Sequence, residues 1–141
     1  MLGNNDELSR YMMQIEQYKE QISVLEQQME LLQAAINDYN KAKITLEKLN
    51  ETEKDREILV PIGGRTFVNA KAKDPSKVLF DIGSGIVTEK KSEDAIKKIN
   101  DILKELEEKT KSVADMIQKM QTTASEITAK AQKIYMEQQQ G

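Results

Sequence analysis

The sequence predicts an α+β chain in which a long antiparallel two-helix coiled coil carries two β-hairpins inserted between its helices. Three observations predict it. Both ends of the 141-residue chain repeat apolar residues in heptads, whereas the central stretch ILVPIGGRTFVNAKAKDPSKVLFDIGSGIVTEK switches to alternation broken by glycine pairs. The two flanks are also nearly equal in length, as a hairpin of helices requires. The expected division is 1–57 for the first helix, 58–90 for the hairpins and 91–141 for the second helix.

In the first flank Leu8, Ile15, Ile22, Met29, Ile36 and Lys43 fall seven apart, with Tyr11, Tyr18, Leu25, Leu32, Tyr39 and Leu46 between them. This is an a/d seam, the narrow apolar stripe of a coiled coil. Asn5 before Asp6 and Glu7 reads as its N-cap, since a side-chain oxygen there meets free backbone N–H groups and the acids suit the positive end of the helix dipole. In the second flank Ile96, Leu103, Thr110, Ile117, Ala124 and Ala131 take a, and Ile99, Leu106, Val113, Met120, Ile127 and Ile134 take d. Ser92 before Glu93 and Asp94 gives the same start signal. Each helix should run about 47 residues, or roughly 70 Å. Equal flanks favour folding back on each other; pairing with helices of other chains is the alternative.

Between the flanks, Ile58, Val60 and Ile62 alternate, Gly63-Gly64 offers the positive φ of a two-residue turn, and Thr66 to Ala72 resumes as a strand. Asp74-Pro75-Ser76-Lys77 suits a type I turn. A second hairpin follows, Val78 to Ile82 and Ile86 to Glu89 around Gly83-Ser84-Gly85. Pro61 cannot donate to a ladder, which puts it at an edge or bulge. Four short strands cannot cover both of their faces, and open apolar edges invite pairing. The insert is therefore expected to assemble with other chains through Ile58, Val60, Ile62, Phe67, Val68, Val78, Phe80, Ile82, Ile86 and Val87.

Composition excludes several functions. Charged residues make up 32% and aromatics 4%, which favours an elongated helical shape over a compact core. Without cysteine there is no disulfide or thiolate metal site, and without histidine neither the usual metal ligand nor a base for a nucleophile. Gly83-Ser84-Gly85 leads into a strand, not the helix a dinucleotide loop needs, and Gly63-Gly64-Arg65-Thr66 lacks the P-loop ending. The acids are spread over helical faces that solvent should cover. No enzyme activity, cofactor or metal is expected. Net charge is -3 with signs interspersed, against nucleic-acid binding by a basic face. No run approaches the roughly 18 apolar residues of a membrane span, and MLGNNDELSR lacks a signal-peptide core. A cytoplasmic protein without membrane contact is expected.

The run Leu59-Val60-Pro61-Ile62-Gly63-Gly64, Phe67-Val68, Ala70, Asp74-Pro75, Val78-Leu79, Gly83-x-Gly85, Val87 and Glu89-Lys90 resembles the alpha-type subunit of prefoldin. The resemblance covers nearly the whole chain, and two hairpins mark the alpha type because the beta type has one. Arg65, Asn69 and Asp81 depart from the family's pattern and leave the paralogue open. The resemblance implies a hexamer of two alpha-type and four beta-type subunits, built on a double β-barrel from which coiled coils hang. Such assemblies capture unfolded protein without ATP and pass it to a group II chaperonin.

Client capture is expected at the chain ends. Elsewhere the e and f positions, which face away from the seam, are mostly polar, but Met12, Met13, Tyr135 and Met136 fill them at the ends that antiparallel pairing brings together. Methionine is flexible and polarizable and suits varied partners. With the neighbouring seam residues Leu8, Tyr11, Ile15, Ile127 and Ile134 they form the expected client-binding tip. Val24, Leu31 and Met116 are off-seam apolar residues farther in. The competing function is a coiled-coil scaffold, or a self-assembling, filament-forming relative, which needs no apolar tip.

Overall fold

The computed structural model describes residues 2–140, so terminal positions 1 and 141 of the two flanks lie outside it. In order, the elements are α1 (Leu2–Asn50), β1 (Arg56–Gly63), β2 (Thr66–Ala72), β3 (Lys77–Gly83), β4 (Ile86–Lys91) and α2 (Ser92–Gln140). Each helix has 49 residues. The chain divides into two compact units, one made of the residues up to Ala35 and from Leu106 onward, the other of Ile36–Glu105.

The first unit is a pair of antiparallel helical segments. Its surface grooves are lined jointly: Gln14 to Gln21 with Ile127, Val24 and Leu25 with Met120, and Leu31 and Leu32 with Lys109 and Val113. Numbers fall along α1 as they rise along α2, so the directions are opposed. Near the free end Gln138 Nε2 donates to Asn5 Oδ1 at 2.9 Å. Every expected a and d residue of this unit is half-buried or buried, and Leu25 and Ala131 are the most enclosed. Thr110 sits on the seam without an unmet hydroxyl because it donates to the Leu106 carbonyl at 2.8 Å. Asn5 is not a cap. The helix starts upstream at Leu2, and the Asn5 amide oxygen is engaged by α2 instead; a cap is a local preference of about 1 kcal/mol, which interhelical contact can override.

In the second unit, α1 ends at Asn50, where Thr52 closes the last turn by donating its N–H (3.0 Å) and hydroxyl (2.7 Å) to the Leu49 carbonyl. The chain then turns through Asp55, at φ 62, whose N–H donates to Ala72 O at 2.8 Å. Here the core is tightest: Ala95 is 0% exposed, Ile99 2% and Leu103 7%. Ser92 is the buried joint. Its N–H donates to Ser76 O and its hydroxyl to Pro75 O, both at 2.8 Å, which ties the start of α2 to the β2–β3 turn. Ser92 does open the helix, with Glu93 and Asp94 in its first turn, and its hydroxyl proton goes to the turn while the oxygen keeps its lone pairs. That turn has the expected Asp74-to-Lys77 bond, Lys77 N–H to Asp74 O at 3.1 Å.

The four strands form two separate two-stranded antiparallel sheets, β1 with β2 and β3 with β4. In hairpin 1 Val60 faces Val68, Pro61 faces Phe67 and Gly63 faces Thr66, which leaves Ile62 as the extra residue of a bulge beside Pro61. In hairpin 2 Asp81 faces Val87 and Gly83 faces Ile86, so Ile82 is extra in the same way. In hairpin 1 the turn lies one residue later than the Gly63-Gly64 pair suggests, and in hairpin 2 it falls within the expected Gly83-Ser84-Gly85. The central residues of the two turns are Gly64-Arg65 (φ 56 and 60) and Ser84-Gly85 (φ 54 and 74), positive at both positions as a type I′ turn demands. Gly63 and Gly83 belong to the bulges. The hairpins are thus one motif written twice at an offset of twenty residues (59 to 79): Leu59 matches Leu79, Ile62 matches Ile82 and Gly63 matches Gly83.

Candidate functional site

Alternation along the strands gives each hairpin two unlike faces. On one, Ile58, Ala70 and Ala72 of hairpin 1 and Val78, Phe80, Thr88 and Lys90 of hairpin 2 are half-buried. Val78, Leu79 and Phe80 line a groove with Tyr39, Leu46 and Ile99, and the half-buried Val78 and Phe80 turn this face of hairpin 2 toward the helices. Opposite it, Leu59 is 64% exposed, Phe67 56%, Leu79 76% and Val87 55%. Val60, Ile62, Val68, Ile82 and Ile86 are exposed as well.

Such a surface is incomplete by itself. A lone two-stranded hairpin is at best marginally stable in water, and both outer edges of each sheet lack a neighbouring strand. Open edges with exposed Val, Ile, Leu and Phe are the arrangement other strands complete. Leu59 and Leu79 were outside the expected assembly set, which took Ile58, Val60 and Ile62 from the first strand and Val78, Phe80 and Ile82 from the third. The signal for the outward face was the opposite parity, Leu59 with Phe67 and Leu79 with Val87.

At the free end of the first unit, Leu8, Tyr11, Ile15, Ile127 and Ile134 are half-buried in the seam, while Met12, Met13, Tyr135 and Met136 are exposed. The Tyr11 hydroxyl donates to Glu7 Oε1 at 3.2 Å, and that bond to a carboxylate holds its pKa above the usual phenol value. Tyr135 accepts from Gln139 Nε2 at 2.8 Å across one helical turn. These bonds satisfy both phenol oxygens, and of the two rings that of Tyr135 is the exposed one. Farther along the same unit Val24, Leu31 and Met116 are exposed. In the second unit so is Ile44, which no expectation included. Its heptad position, b, gives no reason to single it out.

Among the described residues, no helix is long and apolar enough to cross a membrane, and no group of three or more His, Cys, Asp or Glu side chains is arranged to hold a metal ion. A family model described as prefoldin subunit matches residues 18–137. The prefoldin subunit alpha of Pyrococcus horikoshii is 30% identical over 139 residues, 98% of this chain and 94% of the relative. That of Methanoregula boonei is 32% identical over 132 residues, 94% and 86% of the two chains. Among solved structures, the cryo-EM structure of filamentous PFD from Methanocaldococcus jannaschii is similar with a TM-score of 0.72 and 26% identity, covering 82% of this chain and 96% of the other. The prefoldin beta subunit from Thermococcus strain KS-1 matches in fold, with a TM-score of 0.59 at 16% identity over 89% and 90%.

Proposed function

This chain belongs to the prefoldin family, and from that premise we propose that it is an alpha-type subunit of an ATP-independent holdase that works in the cytoplasm. Two of these chains join four beta-type subunits through their hairpins, and the assembly captures unfolded protein at its coiled-coil ends and delivers it to a group II chaperonin. The observation that carries the reading is the pair of open-edged hairpins with apolar residues facing solvent, set between two long helices in a chain similar throughout to prefoldin alpha subunits. Partner strands would cover those faces, and the free helix ends would remain for clients.

Met12, Met13, Tyr135 and Met136 are the groups assigned to capture. All four are more than half exposed, so withdrawing one into a client contact removes apolar surface from water, a gain of roughly 1.5 to 3 kcal/mol for a side chain of that size. Several such ends on one platform add avidity. The test mixes the chain with beta-type subunits, measures native mass, and follows aggregation of a denatured client without ATP. Wild type is expected to form the hexamer and suppress aggregation. A variant with all four residues changed to Gln should assemble with unchanged helical content, since surface changes cost within about 0.5 kcal/mol each, yet protect poorly. Full protection by that variant would eliminate the ends and direct attention to Val24 and Leu31.

A further inference from the structure

The repeat shared by the hairpins makes one difference between them conspicuous. In hairpin 1 Glu57 stands opposite Lys71. The matching position of hairpin 2 sets Lys77 opposite Lys91. Residues directly opposite on paired strands project to the same side with Cβ atoms about 4.5 to 5.5 Å apart, where opposite charges support the pairing and like charges oppose it. The first hairpin is thus closed at its base by a complementary pair, and the second by two ammonium groups, both exposed.

Two acids lie nearby, but neither stands directly across the ladder from Lys77 or Lys91. Asp74 feels the Lys77 charge, but its Oδ1 already accepts from the Ser76 N–H at 3.1 Å and the Ser76 hydroxyl at 2.6 Å. Glu89 lies two residues from Lys91 on the same face, opposite Leu79. Lys90, opposite Val78, belongs to the other face and adds a third cation to this end of the sheet. Leu79 stands next to Lys77 on the outward face, the most exposed of the large apolar side chains named above at 76%.

We propose that the base of the second hairpin is an interaction surface for a carboxylate carried by the neighbouring beta-type subunit. This rests on the assembly reading given above and adds to it the chemistry of one contact. A strand added along the open edge of β3 brings an acidic side chain beside Lys77, on the face that Lys91 shares, while Leu79 is covered by an apolar neighbour. The repulsion present in the free chain is relieved only in the complex. Lysine on an edge can instead serve to keep strands apart, and the two roles predict opposite responses to one change.

Lys77→Glu restores in hairpin 2 the Glu-Lys pattern of hairpin 1. In the full chain alone, amide exchange across β3 and β4 should slow. Mixed with beta-type subunits, the same variant should assemble roughly 10-fold more weakly and with a flatter salt dependence, because the partner's carboxylate now meets a like charge. Lys91→Glu should behave the same way, and Lys77→Arg should assemble as wild type. Unchanged or tighter assembly of Lys77→Glu would overturn the proposal in favour of edge blocking. Weakening confined to self-association would place the carboxylate on a second copy of this chain and overturn it equally. Failure of the wild-type chain to bind beta-type subunits at all would remove the assembly reading itself, before any variant is compared, and this inference with it.

Discussion

The helical seam and the strands use the same kinds of residue to opposite ends. Along the seam the apolar side chains cover one another within the chain, down to 2% exposure at Ile99 and 7% at Leu103. In the hairpins Leu79 and Leu59 remain 76% and 64% exposed. A helix satisfies its backbone internally and needs only a stripe covered, which a second helix supplies. A two-stranded sheet satisfies half of its edge bonds and has two faces, so this chain cannot complete it alone. The difference teaches that the seam is completed within the chain, whereas the strand faces are left open by it.

The most severe way to break that contrast is to charge the strands. Val60→Asp with Phe67→Asp should abolish assembly with beta-type subunits while circular dichroism of the chain stays helical, as native mass and spectra together would show. Collapse of helical content would mean that the hairpins hold the helices together. Next in size, Ile99→Ala should lower stability by about 2 to 5 kcal/mol in urea unfolding, since it empties a packed site. Leu79→Ser in the isolated chain should stay within about 0.5 kcal/mol, because its side chain is already in water. Comparable costs for the two would erase the distinction.

Ser92→Ala probes the joint between the two kinds of structure. It removes the donor to Pro75 O and should cost about 1 kcal/mol, with faster amide exchange at Ser76 and Lys77. Arg65→Gly should raise stability by up to about 1 kcal/mol, because a side chain at φ 60 is strained where the matching turn position carries Gly85. Smallest is a pH effect at Asp74, whose carboxyl is held below its ordinary value by hydrogen bonds from the Ser76 hydroxyl and N–H, with help from Lys54 and Lys77. A lowered folded pKa means that its stabilisation of the turn is complete above the ordinary value of 3.8 and is lost as pH falls through the lower one. Protection of the Ser76 amide, its exchange relative to the intrinsic rate at the same pH, should therefore fall below about pH 4, and Asp74→Asn should abolish that dependence.

Much of this molecule was legible in the order of its residues. Heptad spacing identified which side of each helix is shielded, because the 3.6-residue turn imposes that period whatever the partner. Glycine, proline and alternation located both hairpins, since positive φ and missing N–H groups are local properties. The exposed Met12, Met13, Tyr135 and Met136 followed from the same register. Other features needed the fold. Turn placement at Gly64-Arg65, one residue beyond the expected pair, depended on a bulge that only strand pairing reveals. The outward strand face, with Leu59 and Leu79, depended on where the helices lie. Asn5 and Ser92 bind through space to Gln138 and Pro75, 133 and 17 residues away in sequence. Local pattern determined the elements because backbone geometry repeats every few residues; tertiary structure decided which faces stay open, because burial is set by whatever the folded chain brings alongside.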